Sequence, residues 1–110
     1  MGNPPKPHIL LVDDDPSINR MFQLLLKDAG YRVSIATTSE ECLQFIRIII
    51  PDVILLDISL PGMDGVELTQ RIKGDTTRPF IPIILITALN DMRTKVTGLD
   101  AGADDYLTKP

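Results

Sequence analysis

Short apolar runs that end in polar residues constrain the fold of this sequence more than any other feature. Five runs have the length of a strand: residues 9–12, 33–36, 53–56, 82–86 and, more weakly, 105–107. Several are apolar throughout, which is typical of strands that are covered on both faces, as in parallel sheets. The pattern therefore predicts about five parallel strands with helices between them.

Start and stop signals for two helices lie between residues 15 and 51. Asp15 is expected to cap the first helix, Pro16 suits its first position, and Gly30 marks its end. Ser39 is expected to cap the second helix, which Pro51 stops. Apolar residues at helical spacing would face the core: Ile18, Met21, Phe22, Leu25 and Leu26 in the first helix, and Leu43, Ile46 and Ile50 in the second.

Two further helices are expected over about residues 65–73 and 91–101, the latter with Met92, Val96 and Leu99 on its apolar face. Strands and helices thus alternate along 110 residues, which is one domain's length. The alternation predicts right-handed βαβ units and an α/β fold, a doubly wound sheet with helices on both faces. Ligands of such sheets bind beyond the carboxyl ends of the strands.

Charge and composition exclude several classes of function. The net charge of −4 argues against direct nucleic-acid binding, and no apolar run approaches the roughly 18 residues of a membrane span. Cys42 is the only cysteine and no secretory signal is present, so a cytoplasmic protein is expected. Cys42 is expected to be a small buried residue, and His8, the only histidine, to fill a strand edge. Residues 1–7 are expected to form a disordered leader before a domain at 8–110.

Polar side chains stand at the ends of four predicted strands. Asp13 and Asp14 follow the first strand, Asp57 the third, Thr87 the fourth and Lys109 the fifth. Because the carboxyl ends of parallel strands share one edge of the sheet, these side chains are expected to meet there.

Three carboxylates in one cleft require a cation, since each pair repels by about 1 kcal/mol in water and by several times that at a partly buried site. A few carboxylates with room for water suit Mg²⁺ better than Ca²⁺, which prefers a fuller cage. With the Lys109 ammonium and the Thr87 hydroxyl, the set suits phosphoryl transfer, which needs neutralised phosphoryl oxygens and a nucleophile held in line.

Four stretches carry a resemblance to a known family: ILLVDDDPSI, PDVILLDISLPGMDG, PIILITAL and GADDYLTKP. Over residues 9–110 the chain resembles the receiver (CheY-like) domain of bacterial two-component response regulators. The resemblance implies a flavodoxin-like, five-stranded parallel sheet of order 2-1-3-4-5. It also implies a phosphorelay switch and not an enzyme, because such a domain catalyses only its own phosphorylation and dephosphorylation.

The resemblance implies a role for each residue of the acidic group. Asp57 would be the phosphoacceptor and would attack the phosphohistidine of a sensor kinase or phosphotransfer protein. Asp14 and Asp57 would bind Mg²⁺ directly, Asp13 would act through water, and the backbone carbonyl of Ser59 would be a further ligand. Lys109 would pair with Asp57 and later with a phosphoryl oxygen.

Two further residues would respond to phosphorylation. Thr87 would move toward the phosphoryl group, and Tyr106 would follow from an exposed to an inward rotamer. The surface around the fourth helix and Tyr106 would shift its population toward a partner-binding state. The bond between Lys109 and Pro110 resembles one that is cis in this family.

The sequence departs from the family pattern at Pro110, where a receiver domain continues into a fifth helix. We therefore expect a truncated part of a longer chain, with an output domain beyond residue 110. The absence of the fifth helix would expose apolar surface on strands 1, 3 and 5, so marginal stability or a homodimer is expected. The last thirty residues resemble receivers joined to diguanylate cyclases, hybrid kinases and DNA-binding regulators alike, and do not select an output.

Rival functions stay open. A Mg²⁺-dependent phosphatase similar to the haloacid dehalogenases would also form an aspartyl phosphate. Such enzymes need a second aspartate two residues after the nucleophile to protonate the leaving group, and this chain has Ser59 there. A pseudo-receiver used only for docking would not need all five polar residues. A nucleotide-binding module is disfavoured, because neither G-x-G-x-x-G nor G-x-x-x-x-G-K-[ST] occurs.

Overall fold

A parallel sheet with helices on both faces forms the molecule. The computed structural model describes residues 5–88 and 92–109. Along the chain the elements are β1 His8–Val12, α1 Pro16–Asp28, β2 Arg32–Ala36, α2 Ser39–Ile48, β3 Val53–Asp57, α3 Gly65–Gly74, β4 Ile83–Thr87, α4 Met92–Asp100 and β5 Asp105–Thr108. The strand order is β2-β1-β3-β4-β5, with parallel pairing throughout. The predicted fold class and strand order are confirmed.

The sheet separates two apolar cores, because successive strand residues point to opposite faces. The larger core joins strand residues to α2 and α3 and includes Leu10, Val12, Ile46, Ile54, Leu56, Leu68 and Ile72. The smaller core joins Ile9, Leu11, Leu55 and Ile86 to Phe22 and Leu26 of α1. Burial on both faces fixes β1 and β3, and hence the residues at their carboxyl ends. No helix within the described ranges is long and apolar enough to cross a membrane.

Local signals set the first helix as predicted but not the second. Asp15 caps α1, its Oδ1 accepting hydrogen bonds from the backbone N–H groups of Ser17 and Ile18 at 2.9 and 3.4 Å. The predicted Ser39 cap of α2 is wrong. Thr38 has the extended backbone of a cap, and its hydroxyl accepts a hydrogen bond from the Glu41 N–H at 3.1 Å.

The end of α2 also differs from the expectation. The helix ends at Ile48, and Ile49 is already extended. Ile50 therefore lies outside the helix, 43% exposed, and not on its apolar face. The proline at position 51 disfavours a helical conformation in the residue before it, which explains the early end.

The predicted apolar face of α4 is wrong. Met92, Val96 and Leu99 are 71%, 48% and 39% exposed, and the residue that α4 buries is Gly98. A β-carbon on Gly98 would collide with the Leu85 side chain of β4. The absence of a side chain therefore allows the helix to approach the sheet along its small residues, so its larger apolar residues face outward.

Exposed apolar surface lies at different places from those that the sequence suggested. Ile9, Leu11 and Leu55 of β1 and β3 are buried, so the expected exposure of these two strands is wrong. Leu107 of β5 is 49% exposed, as expected for that strand. Leu25 of α1, predicted to face the core, is 60% exposed. Residues 1–4 lie outside the described part of the chain, whereas the carbonyls of residues 6 and 7 accept hydrogen bonds from Arg32.

Candidate functional site

Three carboxylates meet at the carboxyl edge of the sheet. Val12 pairs with Leu56 in the register of β1 and β3, which brings the residues that follow them, Asp13 and Asp57, side by side. One oxygen each of Asp13, Asp14 and Asp57 lies within 4.8 Å of the others. Asp13 and Asp57 are only 2% and 6% exposed, while Asp14 faces solvent. The site therefore has two buried acids and one accessible acid.

Lys109 supplies positive charge to this acidic group. Its Nζ lies 2.9 Å from Asp13 Oδ2 and 3.3 Å from Asp57 Oδ2, so the ammonium bridges both buried carboxylates and is nearer to Asp13. Its backbone N–H donates to the carbonyl oxygen of Thr87 at 2.7 Å, which ties the residue to the end of β4. Three carboxylate groups and one ammonium have a formal charge of −2, which one divalent cation would neutralise.

The protonation of Asp57 reflects opposing influences. Burial raises the pKa of the Asp57 carboxyl, and the charge of Asp13 acts in the same direction. A hydrogen bond from the Ser59 N–H to Asp57 Oδ1, at 3.1 Å, and the ammonium of Lys109 oppose the shift without cancelling it. For Lys109, burial lowers the pKa, but the two carboxylates outweigh it and the net shift is upward. An additional cation beside Asp57 would favour its ionised, nucleophilic form.

The remaining predicted site residues, Thr87, Ser59 and Tyr106, differ in burial and in their contacts. Thr87 ends β4 and is 1% exposed, one position beyond Ile86, the residue that pairs with Asp57. Ser59 is exposed and contacts Asp57 through its backbone N–H. Tyr106 is half-buried in β5 and packs against the larger core. The predicted cis bond falls on Pro110, outside the described residues.

Three residues support the site through contacts that the sequence analysis did not predict. Asn19 of α1 contacts the backbone of Asp13, and Ser39 donates a hydrogen bond from Oγ to the carbonyl oxygen of Met63, in the loop after Asp57, at 2.6 Å. Gly65 begins α3 so close to β3 that a β-carbon would lie 2.6 Å from the carbonyl oxygen of Asp57. A polar residue on an apolar helix face and a glycine at a helix start were the available clues.

Comparisons with known proteins place the chain in a family. The family described as "Response regulator receiver domain" matches residues 9–110. The DNA-binding dual master transcriptional regulator RpaA of Synechocystis sp. is 41% identical over 104 residues, which cover 94% of this chain and 43% of RpaA. The phosphate regulon transcriptional regulatory protein PhoB of Pseudomonas aeruginosa is 44% identical over 102 residues, covering 93% of this chain and 44% of PhoB.

Solved structures of related proteins have the same fold. The chemotaxis protein CheY4 of Vibrio cholerae superimposes with a TM-score of 0.89 at 33% identity, covering 96% of this chain and 88% of that one. The chain thus spans most of this solved structure, but less than half of the length of the two curated relatives.

Proposed function

Because the chain belongs to the response regulator receiver domain family, we propose that it is a phosphorylation-dependent switch of a two-component system. Asp57 would accept a phosphoryl group from a sensor histidine kinase or a phosphotransfer protein. The observation that carries the proposal is the position of Asp57 at the end of β3, 6% exposed, with a lysine ammonium 3.3 Å from its Oδ2 and two more carboxylates beside it.

The chemistry proposed for Asp57 is a nucleophilic displacement at phosphorus. A carboxylate oxygen forms the new O–P bond, the P–N bond of the phosphohistidine breaks, and the leaving imidazole nitrogen takes a proton from solvent. The Ser59 N–H holds Asp57 Oδ1 and the Lys109 ammonium faces Oδ2, so the carboxylate is oriented before the donor arrives. Lys109 and the Thr87 hydroxyl would then contact phosphoryl oxygens.

The donor set fits a magnesium ion, since it consists of carboxylate oxygens with an excess of two negative charges and one acid open to solvent. Asp14 and Asp57 would bind the ion directly, Asp13 through water, and Ser59 through its backbone carbonyl. When bound, Mg²⁺ would neutralise the charge that develops on the phosphoryl oxygens. Phosphorylation would then draw Thr87 inward and, through Tyr106, change the surface near α4.

The partners and setting of this switch are part of the same proposal. An output domain in the same polypeptide, with DNA-binding regulation as named for RpaA, would read the switch. A homodimer would be a further way to bury Leu25 and Leu107. Cys42 is a free, fully buried thiol, which is typical of proteins in the reducing cytoplasm.

Phosphoryl uptake with Mg²⁺ as the only variable tests the proposal. We expect the chain, incubated with a small acyl phosphate, to gain the mass of one phosphoryl group in the presence of Mg²⁺ and none after chelation of the metal. Intact-mass spectrometry measures the gain. Mg²⁺ binding without uptake from either an acyl phosphate or a phosphorylated histidine protein would indicate a docking-only module. Continuous turnover of small phosphate esters would indicate a phosphatase.

A further inference from the structure

Asn19 is the one residue of α1 that is buried, at 5% exposure. Apolar residues of the same helix are far more accessible, and Leu24 and Leu25 are each 60% exposed. The most protected position of an amphipathic helix thus holds an amide side chain. Buried polar groups of this kind are retained where their hydrogen bonds are needed.

The amide nitrogen of Asn19 binds the backbone of an acidic site residue. Nδ2 donates to the carbonyl oxygen of Asp13 at 2.8 Å. The Asp13 N–H donates to the carbonyl of Ala36 at 3.1 Å, Asp13 Oδ1 accepts from the Asp15 N–H at 2.9 Å, and Asp13 Oδ2 faces Lys109. All four polar atoms of Asp13 are therefore held, and Asn19 holds the carbonyl.

The amide oxygen of Asn19 has no comparable contact. Among the described residues Oδ1 is buried without a hydrogen-bond partner, which costs free energy that an apolar side chain of similar volume would not. A leucine at this position would remove that cost, but it would also leave the Asp13 carbonyl without its Nδ2 donor. The hydrogen bond from Nδ2 to the Asp13 carbonyl therefore explains why this position holds an asparagine.

The residue that depends most on this contact is Asp14. Its side chain is exposed, and within residues 5–88 and 92–109 its carboxylate accepts no hydrogen bond. With no such partner to fix its rotamer, the backbone sets the direction in which the Asp14 side chain leaves Cα, and the peptide unit before that Cα carries the carbonyl of Asp13. Asn19 fixes the orientation of that peptide unit.

We propose that Asn19 is a positioning residue for the metal-binding acids, which holds the Asp13–Asp14 peptide so that the Asp14 carboxylate is directed toward the ion. The inference rests on the proposed Mg²⁺-dependent function and adds to it a residue outside the acidic group. It assigns to α1 a role in metal affinity, in addition to covering the sheet.

An Asn19→Leu variant tests the inference. Supporting contacts of metal ligands are worth about 10-fold to 100-fold in affinity, so the dissociation constant of Mg²⁺, measured by NMR titration with the metal alone, is expected to rise by that factor. The free energy of unfolding in chelator is expected to change little, because loss of the Nδ2 hydrogen bond to the Asp13 carbonyl and removal of the unpartnered Oδ1 act in opposite directions. Labelling by acyl phosphate should require correspondingly more Mg²⁺ and regain its rate at saturating metal, a dependence that general loss of structure would not produce.

A matched control is available in α3. Thr69 is fully buried, and its Oγ1 donates to the carbonyl of Gly65 at 2.7 Å, so Thr69→Val also removes a buried donor from a backbone carbonyl. This variant should lose stability and keep the wild-type affinity for Mg²⁺. Asn19→Ala replaces Asn19→Leu if the leucine is not accommodated. Wild-type affinity in the Asn19 variants overturns the positioning role, whereas absence of Mg²⁺ binding by the wild-type chain overturns the proposed function itself.

Discussion

An Asp57→Asn variant is expected to take up no phosphoryl group and, at neutral pH without metal, to be more stable than the wild-type chain. The amide keeps the shape of the carboxylate but is not a nucleophile. Burial raises the pKa of Asp57 and the charge of Asp13 adds to the shift, so an ionised Asp57 destabilises the folded state. Removing this charge should raise the free energy of unfolding by about 0.5–2 kcal/mol.

The gain in stability is expected to depend on pH in a defined direction. Because the pKa of Asp57 is higher in the folded than in the unfolded chain, the folded state binds more protons in the interval between the two values. Wild-type stability is therefore lost as the pH rises through that interval. Below it Asp57 is protonated in both states, and the wild-type and Asp57→Asn chains should approach the same stability.

Urea denaturation in chelator, at neutral and at acid pH, measures this difference, and intact-mass spectrometry measures the labelling. Asp52→Asn is the matched control. Asp52 lies at the opposite edge of the sheet, where its Oδ2 accepts a hydrogen bond from the His8 N–H at 2.7 Å, and an amide oxygen can accept the same bond. Asp52→Asn should be labelled like the wild type. Stoichiometric labelling of Asp57→Asn, or lower stability of that variant at neutral pH, would contradict the assignment.

A Gly65→Ala variant is expected to lose both stability and phosphoryl uptake. The added β-carbon would lie 2.6 Å from the carbonyl oxygen of Asp57 and 2.7 Å from Cα of Ile58, both backbone atoms of the segment that carries the proposed phosphoacceptor. Overpacking of this kind costs about 1–3 kcal/mol. To relieve the clash, the start of α3 or the end of β3 must move. A displacement of about 1 Å at a reacting group can lower the rate about 100-fold.

Gly74→Ala provides the comparison within the same helix. Gly74 ends α3, and a β-carbon there would meet no atom within 4 Å. Alanine should therefore stabilise the chain by about 0.4–1 kcal/mol and leave labelling unchanged. Denaturation midpoints and initial labelling rates at saturating Mg²⁺ measure the pair. Equal labelling by Gly65→Ala and the wild type would show that Asp57 tolerates movement of its backbone.

The sequence predicts the sheet well because its signals are local to each strand. Short apolar runs, several of them uninterrupted, indicated five strands, and parallel pairing then placed residues 13, 57 and 87 at one edge. Two errors arose where a contact between distant elements decided the outcome. Ser39 binds Met63 instead of capping its helix, and Gly98 turns the apolar residues of α4 outward because β4 lies so close. Neither contact is visible in the local sequence.

The site, like the fold, was predicted in part. The sequence indicated which charged groups would meet, but not how they would pair. Lys109 was expected beside Asp57, and the structure has its Nζ nearer to Asp13, because both carboxylates lie within reach of one flexible side chain. The support from Asn19 depends on how the first helix sits against the end of β1, which helical spacing alone does not specify.

The bridging position of Lys109 has a mechanical consequence for the edge of the sheet. β5 is the shortest strand, its side chains are mostly exposed, and it pairs with β4 alone. Lys109 follows it directly and reaches past β4 to acids that belong to β3 and β1. The ion pairs of Lys109 thus attach the exposed edge strand β5 to the carboxyl ends of the buried strands β1 and β3. A change in the charge of Asp13 or Asp57 would therefore also change how strongly β5 is held to the sheet.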